Sequence, residues 1–415
     1  MFNTALHHQV DINILDKVTN KPPSSWAPFS KEEFKSAITN YNNFSTLGPD
    51  KLSWRHLKVI LKDDDCLGNI ISITNTCIDL GFWPSYFKRS MTVIIPKPNK
   101  VLYDSSKSFR LIVLLNMLGK LLEKVISKRL QFLTAANNFI HPSQLGDLKF
   151  KSTTDVGVTL THIIHSGWVK NLSTSTLALD IAQFFLLLNY CLLTLILKKM
   201  GFNNYVISFF ANYLIDRKTN YFWNNLTSPI LDVNVGVGQG SALSPILSAL
   251  YLSLFLYILE KCLKNLNIPM FIISFIDDGL FISQSKSFHT SNCCLFCSYN
   301  VMLNLLEKFS LIVEHSKTDV FHFNRSQSTF NPPSLDLTPL EGTILQPKNM
   351  WKYLGFIFNR KLLFYQHVNF YSNKAISTVK CMKILGNSNC GINLTQKHLL
   401  YMTCVLSITL YRFQL

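Results

Sequence analysis

The sequence is short of acids: 24 Asp and Glu stand against 40 Lys and Arg, for a net charge of +16 and a pI near 9.3. That shortage leaves polyanions, or an anionic membrane surface, as the natural partners. Paired cysteine spacing is also missing. Ten cysteines are scattered along the chain, Cys294-Leu295-Phe296-Cys297 is their one CxxC, and no second pair or nearby His pair completes a zinc site. The CxxC then reads as apolar helix-face residues. The N-terminus lacks the basic-then-apolar pattern of a secretory signal, so a reducing intracellular compartment is expected, nucleus or cytoplasm. No internal repeat and no domain-scale linker is evident, which points to one continuous α+β body. With 415 residues there is chain enough for one large or two to three ordinary domains.

Charge is absent from residues 181–197 and 241–259, in a chain of mean hydropathy +0.18. Both stretches approach bilayer-spanning length. Against insertion, the first holds Gln183 and Asn189, and the second holds Pro245 with Ser241, Ser244, Ser248 and Ser253. Neither is dominated by Leu, Ile and Val as a clean span is. A membrane protein is thus the minor reading, and no membrane partner is expected.

What is present is organised around Phe271-Ile272-Ile273-Ser274-Phe275-Ile276-Asp277-Asp278-Gly279-Leu280-Phe281-Ile282-Ser283. Each flank is β-branched and aromatic, and Asp-Gly between such flanks signals a hairpin, so Asp277 and Asp278 are expected at a tight turn. Either they are solvated acids of an exposed turn, or they hold a divalent metal that relieves their repulsion. A third acid and a substrate-binding loop elsewhere would decide for the metal.

Residues 1–25 read as a loose leader ending in Pro22-Pro23-Ser24-Ser25. Ser30-Lys31-Glu32-Glu33 has capping-box spacing and starts a helix carrying Phe34, Ile38 and Tyr41, which should stop near residues 40–43. Trp54, Leu57 and Val59 open a helical region that reaches past Asp63-Asp64-Asp65, three acids that read as a solvated helix end. Residues 91–95 form a strand closed by the rigid basic loop Pro96-Lys97-Pro98-Asn99-Lys100, suited to phosphate. From Leu114 to about Leu133 the spacing predicts a basic amphipathic helix with Lys120, Lys124, Lys128 and Arg129 on one face. Lys149, Lys151, Ser152, Thr153 and Thr154 lead into a helix near Asp155, whose start is capped by Ser152 or Thr154 or occupied by a phosphate.

Residues 175–179 read as a buried strand with Asp180 at its C-terminal end, ahead of an apolar helix of about fifteen residues from Gln183. The plain role for such an Asp is an N-cap. Short strands are expected at 221–223 and 231–235. Gly236-Val237-Gly238-Gln239-Gly240-Ser241-Ala242-Leu243-Ser244-Pro245 is a loop that lets backbone approach a flat or anionic ligand, and it opens a long helix. Beyond the hairpin come a helix near 291–309, Lys317, a strand at 320–323, a connecting loop over 324–345, a strand at 353–358 and helical stretches at 364–386 and 395–411.

Taken in order, the motifs resemble a known series. Gly48-Pro49-Asp50-Lys51-Leu52-Ser53, Ile95-Pro96-Lys97-Pro98, Phe109-Arg110, the run from Leu114 to Glu123 and Ser143-Gln144-Leu145-Gly146 come first. Ser152-Thr153-Thr154-Asp155, Leu179-Asp180-Ile181 with Phe185, the glycine-rich loop, Phe275-Ile276-Asp277-Asp278, Ser316-Lys317-Thr318 and Lys352-Tyr353-Leu354-Gly355 follow. In these the chain resembles the reverse transcriptase domain of non-LTR, LINE-like retrotransposons. The resemblance implies an α+β right-hand polymerase fold: palm, fingers and the start of a thumb, with an antiparallel palm sheet packed on helices. It further implies an N-terminal helical extension over 26–90, fingers and fingers-palm junction over 91–175, palm over 176–345, and a palm-end strand with partial thumb helices over 346–415.

The implied activity is RNA-directed DNA polymerisation: transfer of a nucleotide from a dNTP to the 3′-hydroxyl of a DNA primer on an RNA template. Two Mg²⁺ ions about 3.5–4 Å apart, with Mn²⁺ as a substitute, serve such chemistry by polarising the attacking oxygen and holding the leaving pyrophosphate. Hard cations take hard oxygen ligands. Asp180 and Asp277 are the expected principal ligands, with Asp278 adjacent and the Ile181 carbonyl completing the shell. Lys317 is expected to protonate or stabilise pyrophosphate. Phe185 is expected against the sugar, excluding a 2′-hydroxyl, with an ordinary core Phe as the plainer alternative. Gly238, Gln239 and Gly240 are assigned to nucleotide or template, and Lys97, Arg110 and Lys151 to triphosphate or template backbone.

The chain departs from the family pattern in places. Arg110-Leu111-Ile112-Val113 replaces Arg-Pro-Ile-Ser, and Asp147-Leu148-Lys149-Phe150 stands where an aromatic, Arg and Gly are usual. Gly238 replaces a Pro, and Leu186 an acid or Pro. These changes support the alternative reading, a drifted and catalytically inactive relic that only binds nucleic acid. No endonuclease or RNase H pattern is seen, and those domains are expected in flanking sequence.

Overall fold

A computed structural model describes residues 21, 25–39, 46–98, 102–105, 108–325, 332–385 and 391–411. The expected leader, residues 21 and 25 apart, and the helix stop at 40–43 lie outside the described residues. Contacts gather the chain into two compact units whose bounds interleave: Met1–Lys149, Ile181–Cys262 and Met302–Val313 in the first, Phe150–Asp180, Leu263–Val301 and Glu314–Leu415 in the second.

In the first unit the helix Lys31–Ile38 starts in the expected capping box, with Ser30 and Glu33 each accepting the other's backbone N–H. The next helical region is broken into Trp54–Ile60 and Asp64–Asp79. Asp63 makes the second start by accepting from Cys66 N at 2.8 Å, so the three acids are a solvated helix N-terminus.

The sheet of this unit runs Phe109–Leu115, Arg89–Pro96, Arg217–Trp223, Leu226–Thr227, with Leu231–Val233 also on Arg217–Trp223. Arg89–Pro96 is antiparallel to the first of these and parallel to the third. The strand Phe109–Leu115 was not legible, and it moves the start of the following helix from Leu114 to Met117. Five consecutive apolar residues from Leu111 fit either element, and pairing to Arg89–Pro96 decides for strand. The helix Met117–Ala136 buries Met117, Leu121, Leu122, Val125, Ile126 and Leu130 on one face. Asp50 of the Gly48-Pro49-Asp50 motif accepts from Met117 N at 2.6 Å and so caps that helix.

The apolar helix expected from Gln183 is two pieces, Phe184–Leu187 and Tyr190–Lys199. Asn189 starts the second by accepting from Leu192 N at 3.0 Å. The carbonyls of Phe185 and Leu188 at the break are taken by Val237 N and Gly236 N. The helix Ser244–Asn265 is long and apolar enough to cross a membrane, the one such helix among the described residues, and 78% of its apolar window is buried. A helix apolar all round is what a core requires, and its Ser248 and Ser253 hydroxyls donate back to Pro245 and Ala249 carbonyls.

The second unit is built on a fully antiparallel sheet ordered Phe271–Phe275, Asp278–Ser285, Ser173–Asp180, Asp319–Phe323. The helix Thr153–Val169 packs on it. Gly167 leaves room for the end of the Gln284 side chain, whose Nε2 would lie 2.4 Å from a Cβ there. The segment expected as one strand at 353–358 is a hairpin, Met350–Tyr353 with Phe356–Asn359. Its turn residues Leu354 and Gly355 have φ of 45° and 82°, the two positive values of a type I′ turn. Trp351 and Phe358 fill the core beneath it. The connecting loop over 324–345 carries short pieces, the pair Leu335–Asp336 with Ile344–Leu345 and the helix Thr338–Glu341. The helices Tyr365–Met382 and Leu394–Leu400 follow, the latter continuing as a π-helical turn over Tyr401–Leu406.

The α+β class with an antiparallel sheet packed on helices is therefore what the chain forms.

Candidate active site

The strand Ser173–Asp180 is buried along nearly its whole length and delivers Asp180 at its last position. Its register with the neighbouring strand sets Ala178 opposite Leu280, Leu179 opposite Gly279 and Asp180 opposite Asp278. Directly opposed residues on an antiparallel pair bring their Cβ atoms within about 4.5–5.5 Å. Asp278 in turn pairs with Phe275, so the two-residue turn is Ile276-Asp277 and not Asp278-Gly279 as Asp-Gly propensity suggests. Asp277 thus sits in the turn and Asp278 opens the strand. The positive φ this turn needs, 60°, falls on Ile276, where a β-branched side chain makes it costly.

A cation is already present. Asp180 is buried and its Oδ2 is ion-paired with Lys317 Nζ, while Lys317 itself stays over half exposed. Backbone geometry puts it there: Glu314 N donates to the Asp180 carbonyl at 2.8 Å, and the turn His315–Lys317 follows at once. Burial pulls the Lys317 pKa down, but its bond to Asp180 and the charges of all three acids outweigh this and hold it up. Asp278 is pushed up to about 7, by burial first and then by the charges of Asp277 and Asp180, with Lys317 opposing. Tyr353, from the hairpin that follows, is buried with its hydroxyl unpartnered, and the Asp278 charge adds to burial in raising its pKa. Sequence reasoning did not single out Tyr353, although it stands in the Lys352-Tyr353-Leu354-Gly355 motif.

Ionised, three acids and one lysine leave an excess of two negative charges. Among the described residues no group of three or more His, Cys, Asp or Glu is gathered as a ready-made metal cage. Mg²⁺ is held more often by one or two carboxylates with substrate phosphates than by an all-protein cage. Hard carboxylate oxygens, that of Asp278 lifted toward neutrality by burial and then by its acidic neighbours, with an orphaned phenol beside them, are a donor set that fits such an ion.

The remaining expected residues fall mostly in the first unit. Arg110 is exposed on the strand Phe109–Leu115, opposite Ile95. Lys97 follows the partner strand, its N–H on Ser108 O at 2.8 Å and its carbonyl on the Tyr103 hydroxyl at 2.7 Å. The glycine-rich loop lies on the Arg110 strand through Val113 N to Gln239 O, 2.8 Å. Phe185 is half-buried, whereas Phe184 is the buried member of the pair, so the core role belongs to Phe184. Val237 N donates to Phe185 O at 2.6 Å, which ties Phe185, Gln239 and the Arg110 strand to one loop. Ile181 bridges Val313. Lys151 is exposed in the second unit, next to Ser152, which forms a capping box with Asp155 on the helix Thr153–Val169. That helix start is capped by its own side chains, the plainer of the two expectations, and it starts at Thr153.

A family model described as reverse transcriptase (RNA-dependent DNA polymerase) matches residues 95–358. The chain belongs to the reverse transcriptase family. The match runs from the strand before Lys97 to the hairpin that carries Tyr353, so this reverse transcriptase domain holds all three acids and Lys317 within it. It is 26% identical over 355 residues to the probable RNA-directed DNA polymerase from transposon BS of Drosophila melanogaster, covering 83% of this chain and 37% of that protein. It is 24% identical over 342 residues to the RNA-directed DNA polymerase from mobile element jockey of the same species, covering 81% and 36%. The resemblance to non-LTR retrotransposon reverse transcriptases read from the motifs is borne out. The chain spans little more than a third of the length of these relatives. Among solved structures, telomerase from Candida tropicalis with a telomeric RNA fragment is similar at a TM-score of 0.47 and 15% identity, over 84% of this chain and 57% of that one.

Proposed function

We propose that this reverse transcriptase domain is an RNA-directed DNA polymerase that extends a DNA primer with dNTPs on an RNA template. The observation that carries the reading is the register that sets Asp180 against Asp278, beside Asp277 in the turn and under Lys317. In this reading Asp180 and Asp277, with Asp278 and the Ile181 carbonyl, would hold two Mg²⁺ ions. Bound there, the ions supply the polarisation of the 3′-hydroxyl and the neutralisation of the triphosphate. Lys317, leaving Asp180, stabilises the departing pyrophosphate and gives it a proton from Nζ. Phe185 stands against the sugar and rejects a 2′-hydroxyl, and its half-buried ring supports that role. Gln239 and the flanking Gly238 and Gly240 present backbone to the templating base and nucleotide. Arg110, Lys97 and Lys151 receive phosphates, and the net charge of +16 supports a polyanionic partner. The division into fingers, palm and partial thumb given by the motifs belongs to the same proposal.

The second reading, an inactive relic that binds nucleic acid, is supported by the altered residues after Arg110 and after Gly146. Primer extension with Mg²⁺ on an RNA template separates the two. Wild type should add nucleotides and Asp277→Ala should lose at least about a hundredfold in rate, as removal of a metal-holding group does. Equal background from both proteins overturns the polymerase reading in favour of the relic.

A further inference from the structure

The loop from Gly236 to Leu243 takes its path from glycine. Gly236 and Gly240 have φ of +72° and +127°, and a Cβ would come within 2.6 Å of Leu186 backbone at the first and 2.4 Å from Val113 O at the second. Glycine permits such a path but does not hold it, since it has the most conformational freedom to lose. Backbone bonds at Gly236, Val237 and Gln239 and the burial of Val237 hold parts of it, but a cavity of ≈70 Å³ lies against Gly238 and Ser241, bordered by Trp83, Val113 and Leu186.

Two charged side chains supply what is missing. Where the loop begins, the Arg217 guanidinium donates to the Gly236 carbonyl, to Val235 O at 3.4 Å and to the Tyr190 hydroxyl, while its Nε is fixed on Leu214 O at 3.2 Å. Where it ends, Glu123 Oε2 accepts from the Ser241 hydroxyl at 2.7 Å and from Ala242 N at 3.0 Å. Its Oε1 accepts from the Tyr213 hydroxyl at 2.8 Å, and that hydroxyl lies 3.0 Å from Ser241 Oγ. Glu123 is fully buried, and burial pushes its carboxyl up against the pull of three donors and the Arg217 charge. A buried charge adds little net stability over a well-packed apolar side chain. Its presence is better explained by the geometry it imposes.

We propose that Glu123 and Arg217 are positioning residues, paired clasps on the two ends of the glycine-rich loop that fix Gln239 relative to Phe185 and the Arg110 strand. They touch neither nucleotide nor template, and they set the affinity for both through the loop. This inference rests on the polymerase reading for its consequence, but the clasp can be tested without it.

The variants are Glu123→Gln, Arg217→Gln and the milder Tyr213→Phe, each in the full chain and each checked for a wild-type far-UV spectrum. Hydrogen exchange reads the clasp directly. Amides of residues 236–243 should exchange about tenfold faster or more in the first two variants, the effect of losing one charge-assisted bond. The strand Ser173–Asp180 should not change. In single-nucleotide incorporation the KM for dNTP should rise about tenfold while kcat stays within about twofold, with a smaller rise for Tyr213→Phe. Unchanged exchange over 236–243 overturns the clasp whether or not the enzyme polymerises. Faster exchange with an unchanged KM in an active enzyme overturns the positioning role. If Glu123→Gln does not fold, Tyr213→Phe carries the same two readouts. A wild type without activity overturns the polymerase reading and the functional half of this inference, and leaves the exchange result to judge the clasp.

Discussion

Replacing Asp278 with Asn separates the cost of that acid to the fold from its use. In the folded protein its carboxyl is held at about 7 against an ordinary 3.8, a rise of about three pH units. At 1.36 kcal/mol for each, the penalty is about 4 kcal/mol at most. Between the two values the folded protein binds a proton that the unfolded chain does not. The penalty is therefore carried in full above pH 7 and disappears as the pH falls through 3.8. Asn keeps the shape and removes the charge. Urea unfolding at pH 8 with a chelator present should show Asp278→Asn more stable than wild type by about 1–4 kcal/mol, shrinking at pH 5. Added Mg²⁺ should stabilise wild type and do much less for the variant, because a ligand that binds only the folded state raises stability by mass action. No gain at pH 8, or equal stabilisation of both proteins by Mg²⁺, would refute the reasoning that crowded charge at this turn is what a cation relieves.

Three further expectations concern single groups. Burial holds the pKa of His322 down to about 4, so the ring is neutral, with Nε2 donating to the Pro333 carbonyl at 3.0 Å and Nδ1 2.8 Å from the Ser175 hydroxyl. The unfolded chain takes up a proton near 6.5, so up to about 3 kcal/mol should be lost between pH 6.5 and 4, a component His322→Gln should lack in unfolding titrations. Leu354→Asn places Asn-Gly in the type I′ turn and should raise stability by about 1 kcal/mol in the same assay; a loss would show that Leu packing outweighs backbone strain. Gly240→Ala sets a methyl 2.4 Å from Val113 O and should lower primer extension at least about tenfold with the far-UV spectrum unchanged.

Local chemistry made the capping box at Ser30, a helix start beside Ser152 and the strand ending at Asp180 legible, because each depends on residues within a few positions. Elements decided by partners far along the chain were not. The strand Phe109–Leu115 merged with the helix behind it until pairing with Arg89–Pro96 separated them. The hairpin turn moved one step because Asp278 pairs with Phe275, a register that overrides the preference of Asp-Gly. Leu354 at positive φ hid a turn inside what reads as one apolar strand. The acids and Lys317 were found through motif order, whereas Glu123 was not: it lies on the apolar stripe of its helix, and its partners are 90 and 118 residues away.

Asp50 has a practical consequence for anyone trimming this protein. The family match begins at residue 95, which invites a shortened version starting there. Such a version would discard the carboxylate that seals the first turn of Met117–Ala136, and with it Gly48, whose missing side chain lets the backbone lie against Leu115 O. The apolar faces of Trp54 and Leu57 would go too, baring a helix that also bears Glu123. The sensible place to cut is upstream of Trp26, which keeps Phe29 in the core, the Ala27 and Pro28 carbonyls on Arg129 and the capping box at Ser30.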